Sequence, residues 1–178
     1  MLKNLMERKQ PAVAKRNVAL AGLGGALAIL ALAGVTHWLQ VPLLAATFGA
    51  SCVLVFTLPE SPLSQPINVV GGHVVSALCG LIVAALLPGQ WWSVAVGVGV
   101  AISVMAALRV THPPAGANPI VIITAAEAWS YLIVPIALGA IVVVVIGAIF
   151  HTGAGRQYPL GVALPVGRKR KELIYGTS

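Results

Sequence analysis

Thr111-His112-Pro113-Pro114-Ala115-Gly116-Ala117-Asn118-Pro119 is a polar, proline-rich run, and it lies between strongly apolar stretches. Its surroundings hold almost no charge. Between Asn17 and Gly155 the only Lys, Arg or Glu residues are Glu60, Arg109 and Glu127, and the 178-residue chain contains no Asp. The composition is 58% hydrophobic and 8% charged, where soluble domains carry about 25% charged residues. Mean hydropathy is +0.96. So few charges cannot cover a soluble surface, so the sequence describes an integral membrane protein. It excludes a soluble enzyme, a disulfide-stapled secreted module and a disordered chain.

Outward from the proline run, five apolar segments approach the ~20 residues that a spanning helix needs: 18–35, 41–58, 71–87, 91–108 and 130–150. The expected fold is an all-α polytopic membrane helix bundle with four to six crossings and one proline-broken half-helix. A basic tail (1–17) precedes the transmembrane domain (18–151), and a second basic tail (152–178) follows it. Five of the eleven basic residues precede Val18 and five follow His151. Lys and Arg mark the cytoplasmic side, which puts both termini inside, with a bacterial inner membrane as the expected location. No soluble core accompanies these charges. They read as anchors for anionic lipid rather than as a nucleic-acid surface.

Termini on one side require an even number of crossings. Trp38, Trp91, Trp92, Trp129 and Tyr131 read as an outer interfacial belt, so residues 109–127 must cross from inside to outside. About seven extended residues at ~3.3 Å each cover roughly 23 Å, and about nine helical residues add roughly 14 Å. Together these exceed the ~30 Å hydrocarbon core. A discontinuous crossing is therefore expected, part extended chain and part half-helix.

Non-helical backbone survives at membrane depth only inside protein or along a watery cavity. Pro113 and Pro114 stiffen the run and donate no backbone hydrogen bond. Ala115, Gly116 and Ala117 permit close backbone approach. Asn118 is placed as an N-cap and Pro119 as the first helical residue, which aims a helix N-terminus at the run. Such mid-membrane N-termini are ready anion sites; a kinked connection without a ligand reads equally well from these residues alone.

A second breaker, Pro59-Glu60-Ser61-Pro62-Leu63-Ser64-Gln65-Pro66-Ile67-Asn68, precedes Gly71-Gly72-His73. Laying Pro62 on Pro114 aligns Ser51 with Ser103 and Glu60 with His112, which suggests a repeated helix–proline loop–helix unit. Gln65, Asn68 and Ser61 can supply neutral hydrogen bonds or cap helix ends. His73 opens the third span and can bond across helices. Arg109 snorkels to the interface or acts as a counter-charge. His37 and His151 read as interfacial. Cys52 and Cys79 read as small buried or lipid-facing residues. The four His residues lack metal spacing, no Ser-His-Asp set is possible without Asp, and no cofactor fingerprint occurs. The reading is therefore of a protein without enzymatic activity, metal or cofactor.

The run Thr111–Asn118 strongly resembles the signature of the HPP family of integral membrane proteins. Gly49-Ala50-Ser51 through Leu58–Pro66, followed by Gly71-Gly72-His73, is similar to that family's other characteristic region. The resemblance covers about residues 18–151. It implies a fold usually described with four transmembrane helices and, from cyanobacterial and plastid members, nitrite transport. The family motif falls on His112, Pro113 and Pro114. The expected function is a transporter or facilitator of a small inorganic anion, nitrite first. The alternative is a non-transporting membrane scaffold or regulatory subunit. The expected substrate-binding residues are His112, Pro113, Pro114, Gly116, Asn118, Arg109, Gln65, Asn68 and His73. His112 either binds the anion or carries a coupled proton, and Arg109 concentrates anions at the inner mouth. A bundle this small barely encloses a pathway, which points to a homo-oligomer.

Overall fold

The computed structural model describes residues 7, 12–40 and 42–161. Lys3, Arg8, Lys9 and Arg168 to Lys171 lie outside the described residues, and with them most of both basic tails. Among the described residues there are six α-helices: α1 (Lys15–Leu39), α2 (Ala46–Thr57), α3 (Pro66–Leu86), α4 (Ser93–Ala107), α5 (Asn118–Ala125) and α6 (Leu138–Gly153). Short 3₁₀ turns at Pro62–Ser64, Pro113–Ala117 and Trp129–Leu132 punctuate them, and a π-turn at Ile133–Ala137 leads into α6. Among the described residues, three apolar segments have the length to cross a bilayer: Lys15–Leu39, Pro66–Leu86 and Trp129–Gly153.

Local chemistry sets the boundaries. α1 is rich in Ala and Leu, lacks proline and ends at a left-handed Gln40 two residues before Pro42. Pro59 stops α2 at Thr57, because the residue before a proline is driven out of the helical region. Pro66 opens α3, where its missing N–H removes no intrahelical bond. Val134 is non-helical, one residue before Pro135, whose ring cannot continue a helix. The apolar run 130–150 is therefore not one straight helix. The run 41–58 is likewise shorter as a helix than its hydropathy suggests, at 12 residues.

The proline run corrects the sequence reading. His112 is extended (φ −135°, ψ 102°), but the extension stops there. Pro113–Ala117 is a 3₁₀ turn, closed by the Ala115 N–H donating to the His112 carbonyl at 2.9 Å. Proline's φ near −65° suits polyproline and 3₁₀ geometry alike, and here the turn conformation satisfies backbone that an extended chain would leave unpaired. Asn118 is not an N-cap. It is itself helical (φ −58°, ψ −44°), donates its backbone N–H to the Ala115 carbonyl, and belongs to α5. The turn thus runs into α5 without an open helix end.

Contacts fix the helix directions. Thr36 of α1 receives the Leu43 N–H, while Gly24 lies against Phe56 and Phe150, so α1 opposes α2 and α6. Gly139 packs on Phe48 and Gly147 on Val55, so α6 runs parallel to α2. Gly72 abuts His112 and Gly80 abuts Pro119, so α5 runs alongside α3 in the same sense. Trp38, Trp91 and Trp129 consequently share one end of the bundle, all exposed. The Pro62–Ser64 turn and Arg109 share the other end. Asn17 and Arg156 line one cleft there, so the described chain begins and finishes on the same face. Two buried clusters form the core. One joins α1, α2 and α6 through Leu32, Phe48, Phe56 and Val143. The smaller joins α3, α5 and the π-turn through Leu81, Ile122 and Ile136.

Candidate functional site

α3 receives the proline turn through small residues. Gly72, Ser76 and Gly80 lie four apart, one above the other on a single helix face. A Cβ on Gly72 would lie 2.7 Å from the His112 Cβ and 2.8 Å from the Val110 carbonyl oxygen; one on Gly80 would lie 2.9 Å from the Pro119 Cα. Ser76 Oγ donates to the Ala115 carbonyl at 2.6 Å. The turn and the start of α5 are thereby pressed onto α3, which is the close approach that small residues allow between membrane helices.

This seating brings four fully buried polar side chains together: Ser51 from α2, His73 from α3, His112 before the turn and Asn118 from α5. Ser51 Oγ lies 2.8 Å from His73 Nε2 and 2.9 Å from His112 Nε2. His112 Nδ1 is 2.8 Å from the Leu63 carbonyl. Asn118 Nδ2 is 3.1 Å from both the His73 carbonyl and His73 Nδ1.

Donor and acceptor roles follow from the two ends of this chain. A carbonyl only accepts, so His112 carries its proton on Nδ1. A neutral His112 then accepts at Nε2, and the Ser51 hydroxyl donates to it. Ser51 has one proton, so His73 must donate from Nε2 to Ser51 Oγ. From the far end, the His73 carbonyl orients the Asn118 amide nitrogen toward it, and the same nitrogen faces His73 Nδ1 as a donor. Both ends demand the same tautomers: Asn118 donates to His73, His73 to Ser51, Ser51 to His112, and His112 to Leu63. On Asn118 and on Thr47, one turn before Ser51, a buried polar atom has no hydrogen-bond partner among the described residues: Asn118 Oδ1 and Thr47 Oγ1.

The other expected site residues fall differently. His73 does not open its helix; it sits eight residues in, with the Phe48 ring 5.1 Å away. Pro114 is buried against the bundle, Pro113 is exposed and Gly116 half-buried. Asn68 Nδ2 donates to the Thr111 carbonyl at 3.0 Å. Gln65 Nε2 donates to the Pro59 and Ser61 carbonyls, and its Oε1 accepts from the Leu160 N–H. Asn68 and Gln65 therefore tie loops together rather than join the histidine chain. Arg109 is exposed at φ 60°, near the foot of the turn.

His151 is not interfacial. It is fully buried, its Nε2 donates to the Val55 carbonyl at 2.9 Å, and its ring stacks near Phe56 and Tyr158. Its Nδ1 is unpartnered. Beyond α6, Tyr158 donates its hydroxyl to the Ser64 carbonyl at 2.9 Å, and burial pushes its phenol up, so it stays a donor. Cys52 and Cys79 are free and buried. Ser51 and Tyr158 were not singled out as site residues by the sequence reading. The signal for Ser51 was its place in the Gly49-Ala50-Ser51 motif.

Among known proteins, the HPP transmembrane region family matches residues 10–159. Two proteins of Dictyostelium discoideum, named only as transmembrane proteins, are similar to the chain. One is 36% identical over 123 residues, covering 64% of this chain and 40% of the relative. The other is 33% identical over 131 residues, covering 68% and 46%. The chain thus spans less than half the length of these curated relatives. No solved structure matches. The matched region holds all six described helices, the proline turn and the histidine chain, and with its apolar spans the protein is an integral membrane protein that belongs to the HPP family.

Proposed function

We propose that the protein is a membrane transporter or facilitator of a small inorganic anion, with nitrite the first substrate to test. One observation carries the reading: a hydrogen-bonded chain of buried polar side chains, two of them histidines, stands inside the apolar bundle. Thr47 Oγ1 and Asn118 Oδ1 are buried with no hydrogen-bond partner among the described residues. Unsatisfied buried groups cost stability, and ionisable residues inside a bundle commonly mark ion or proton pathways. A purely structural kink needs neither. Binding would involve His112, Asn118 and His73, with Pro113, Pro114 and Gly116 shaping the turn. Arg109 would act only as an exposed charge at the mouth. Orientation with both termini cytoplasmic, contact of the basic ends with anionic lipid and assembly as a homo-oligomer belong to the same proposal. Native mass determination in detergent tests the last.

The test is nitrite entry into liposomes containing the purified full-length protein. Uptake is expected in the wild type and is expected to collapse in His112→Ala and Asn118→Asp variants that still fold. Undiminished uptake in folded variants would sink the site assignment. The rival reading is a scaffold or regulatory subunit, favoured by the near-complete bonding of the chain, which can serve as a lock between α2, α3 and α5. No flux together with a stoichiometric co-purifying partner would establish it in place of transport.

A further inference from the structure

We propose that the cluster takes up one proton with each anion it admits, and that His112 is the ring that holds it. The inference rests on the anion-transport reading and adds its coupling. The neutral chain has used its ring and amide donors: both rings, the Ser51 hydroxyl and both Asn118 N–H groups point at acceptors. An anion meeting the neutral rings finds no free N–H there.

One added proton keeps every N–H bonded but brings in a positive charge, without moving a heavy atom. The proton, supplied by bulk water, binds His112 Nε2. The Ser51 hydroxyl proton then swings from His112 to the Thr47 carbonyl, which already lies 3.2 Å away. Ser51 Oγ has two lone pairs, and it accepts from His112 Nε2 and from His73 Nε2, at 2.9 and 2.8 Å. Both N–H groups of the His112 cation thus have acceptors, Ser51 on one side and Leu63 on the other. A proton on His73 Nδ1 would instead face the Asn118 amide nitrogen, which the His73 carbonyl holds in place. Donor would oppose donor, so the site of loading is His112. On release, the proton returns to water and the Ser51 hydroxyl swings back.

The charge then needs an anion. Around the two rings, α2 presents Ser51 with the Thr47 carbonyl behind it, the Pro62–Ser64 turn presents the Leu63 carbonyl to His112, α5 presents Asn118 to His73, and the rings themselves lie 5.2 Å apart. Among the described residues, none of these groups is a carboxylate. Glu60 is exposed in the loop before the Pro62–Ser64 turn, Glu127 lies at the far end of the bundle, and Arg109 is exposed and of like sign. An enclosed cation without a counter-charge is strongly disfavoured, so the ligand supplies the negative charge and transport is electroneutral, one proton per anion.

The experiment uses full-length protein in liposomes with ¹⁵N-labelled histidine, titrated with sodium nitrite, alongside nitrite flux from the same preparation. Without nitrite, His112 is expected to carry hydrogen on Nδ1 and His73 on Nε2. At saturating nitrite, the His112 signal is expected to move to imidazolium while His73 and the distant His151 stay neutral. In Ser51→Ala that shift is expected to be lost. Should this variant fail to fold, the wild type still decides: flux should rise at least tenfold with an inward proton gradient and carry no current. Flux with both rings remaining neutral overturns the proton inference and leaves transport standing. A nitrite-induced imidazolium without flux upholds proton loading and overturns transport. Neither flux nor ring change overturns both.

Discussion

At the scale of single residues, Ser51 joins the two halves of the site, because its hydroxyl is hydrogen-bonded to both histidine rings. Ser51→Ala strands the His73 Nε2–H and the His112 Nε2, each buried. A stranded buried polar group costs about 1–3 kcal/mol, so the variant is expected to lose at least about 2 kcal/mol of stability. Unfolding in detergent measures this against Ser103→Ala. Ser103 occupies the corresponding place in the second helix–turn–helix unit but is exposed on α4, and its loss is expected to stay within about 0.5 kcal/mol. Equal losses would mean that the histidine chain contributes nothing. His112, His73 and Asn118 were legible in the sequence, since a His or Asn amid apolar helices is conspicuous. The role of Ser51 was not, although it stands in the Gly49-Ala50-Ser51 motif, because a serine in a membrane helix is ordinarily a packing residue. His151 was misread for a related reason: nearness to the helix end says nothing about whether Tyr158 will fold back over the ring.

Among the elements, α3 carries the organisation. Its face of Gly72, Ser76 and Gly80 admits the proline turn and α5, and so determines where His112 and Asn118 arrive. Gly80→Ala would push against the Pro119 backbone, which cannot rotate away as a flexible side chain would. Overpacking of this kind costs about 1–3 kcal/mol, and here it is also expected to lower nitrite flux by separating Asn118 from His73. Gly99→Ala on α4 meets nothing within 4 Å and is expected to be neutral or slightly stabilising by helix propensity. Thermal unfolding and flux of the pair check the contrast; matching behaviour would refute the seating role. The existence and order of the helices were readable from hydropathy and proline placement. The 3₁₀ form of Pro113–Ala117 was not. Proline restricts φ but leaves ψ open, and the choice between extended chain and turn was made by the hydrogen bonds to Ser76 and within the turn.

For the whole molecule, the question is how a half-helix of eight residues completes a crossing. At 1.5 Å per residue it covers only about 12 Å, far short of the ~30 Å core. The 3₁₀ turn before it and the loop from Ala126 to Trp129 supply the rest, and α3 and α4 both pack against the turn and the half-helix. The chain can dispense with a full helix here because protein, not hydrocarbon, surrounds the break. Arg109 and Trp129 therefore fall on opposite ends, and Trp129 on the end shared by Trp38 and Trp91. In a background without Cys52 and Cys79, cysteines at 38, 91 and 129 are expected to react with one membrane-impermeant reagent from the same side. A cysteine at 60 is expected to react only after permeabilisation. Labelling of position 129 together with position 60 would make the proline segment re-entrant, put the described chain ends on opposite sides and break the parallel run of α5 with α3 on which the histidine chain depends.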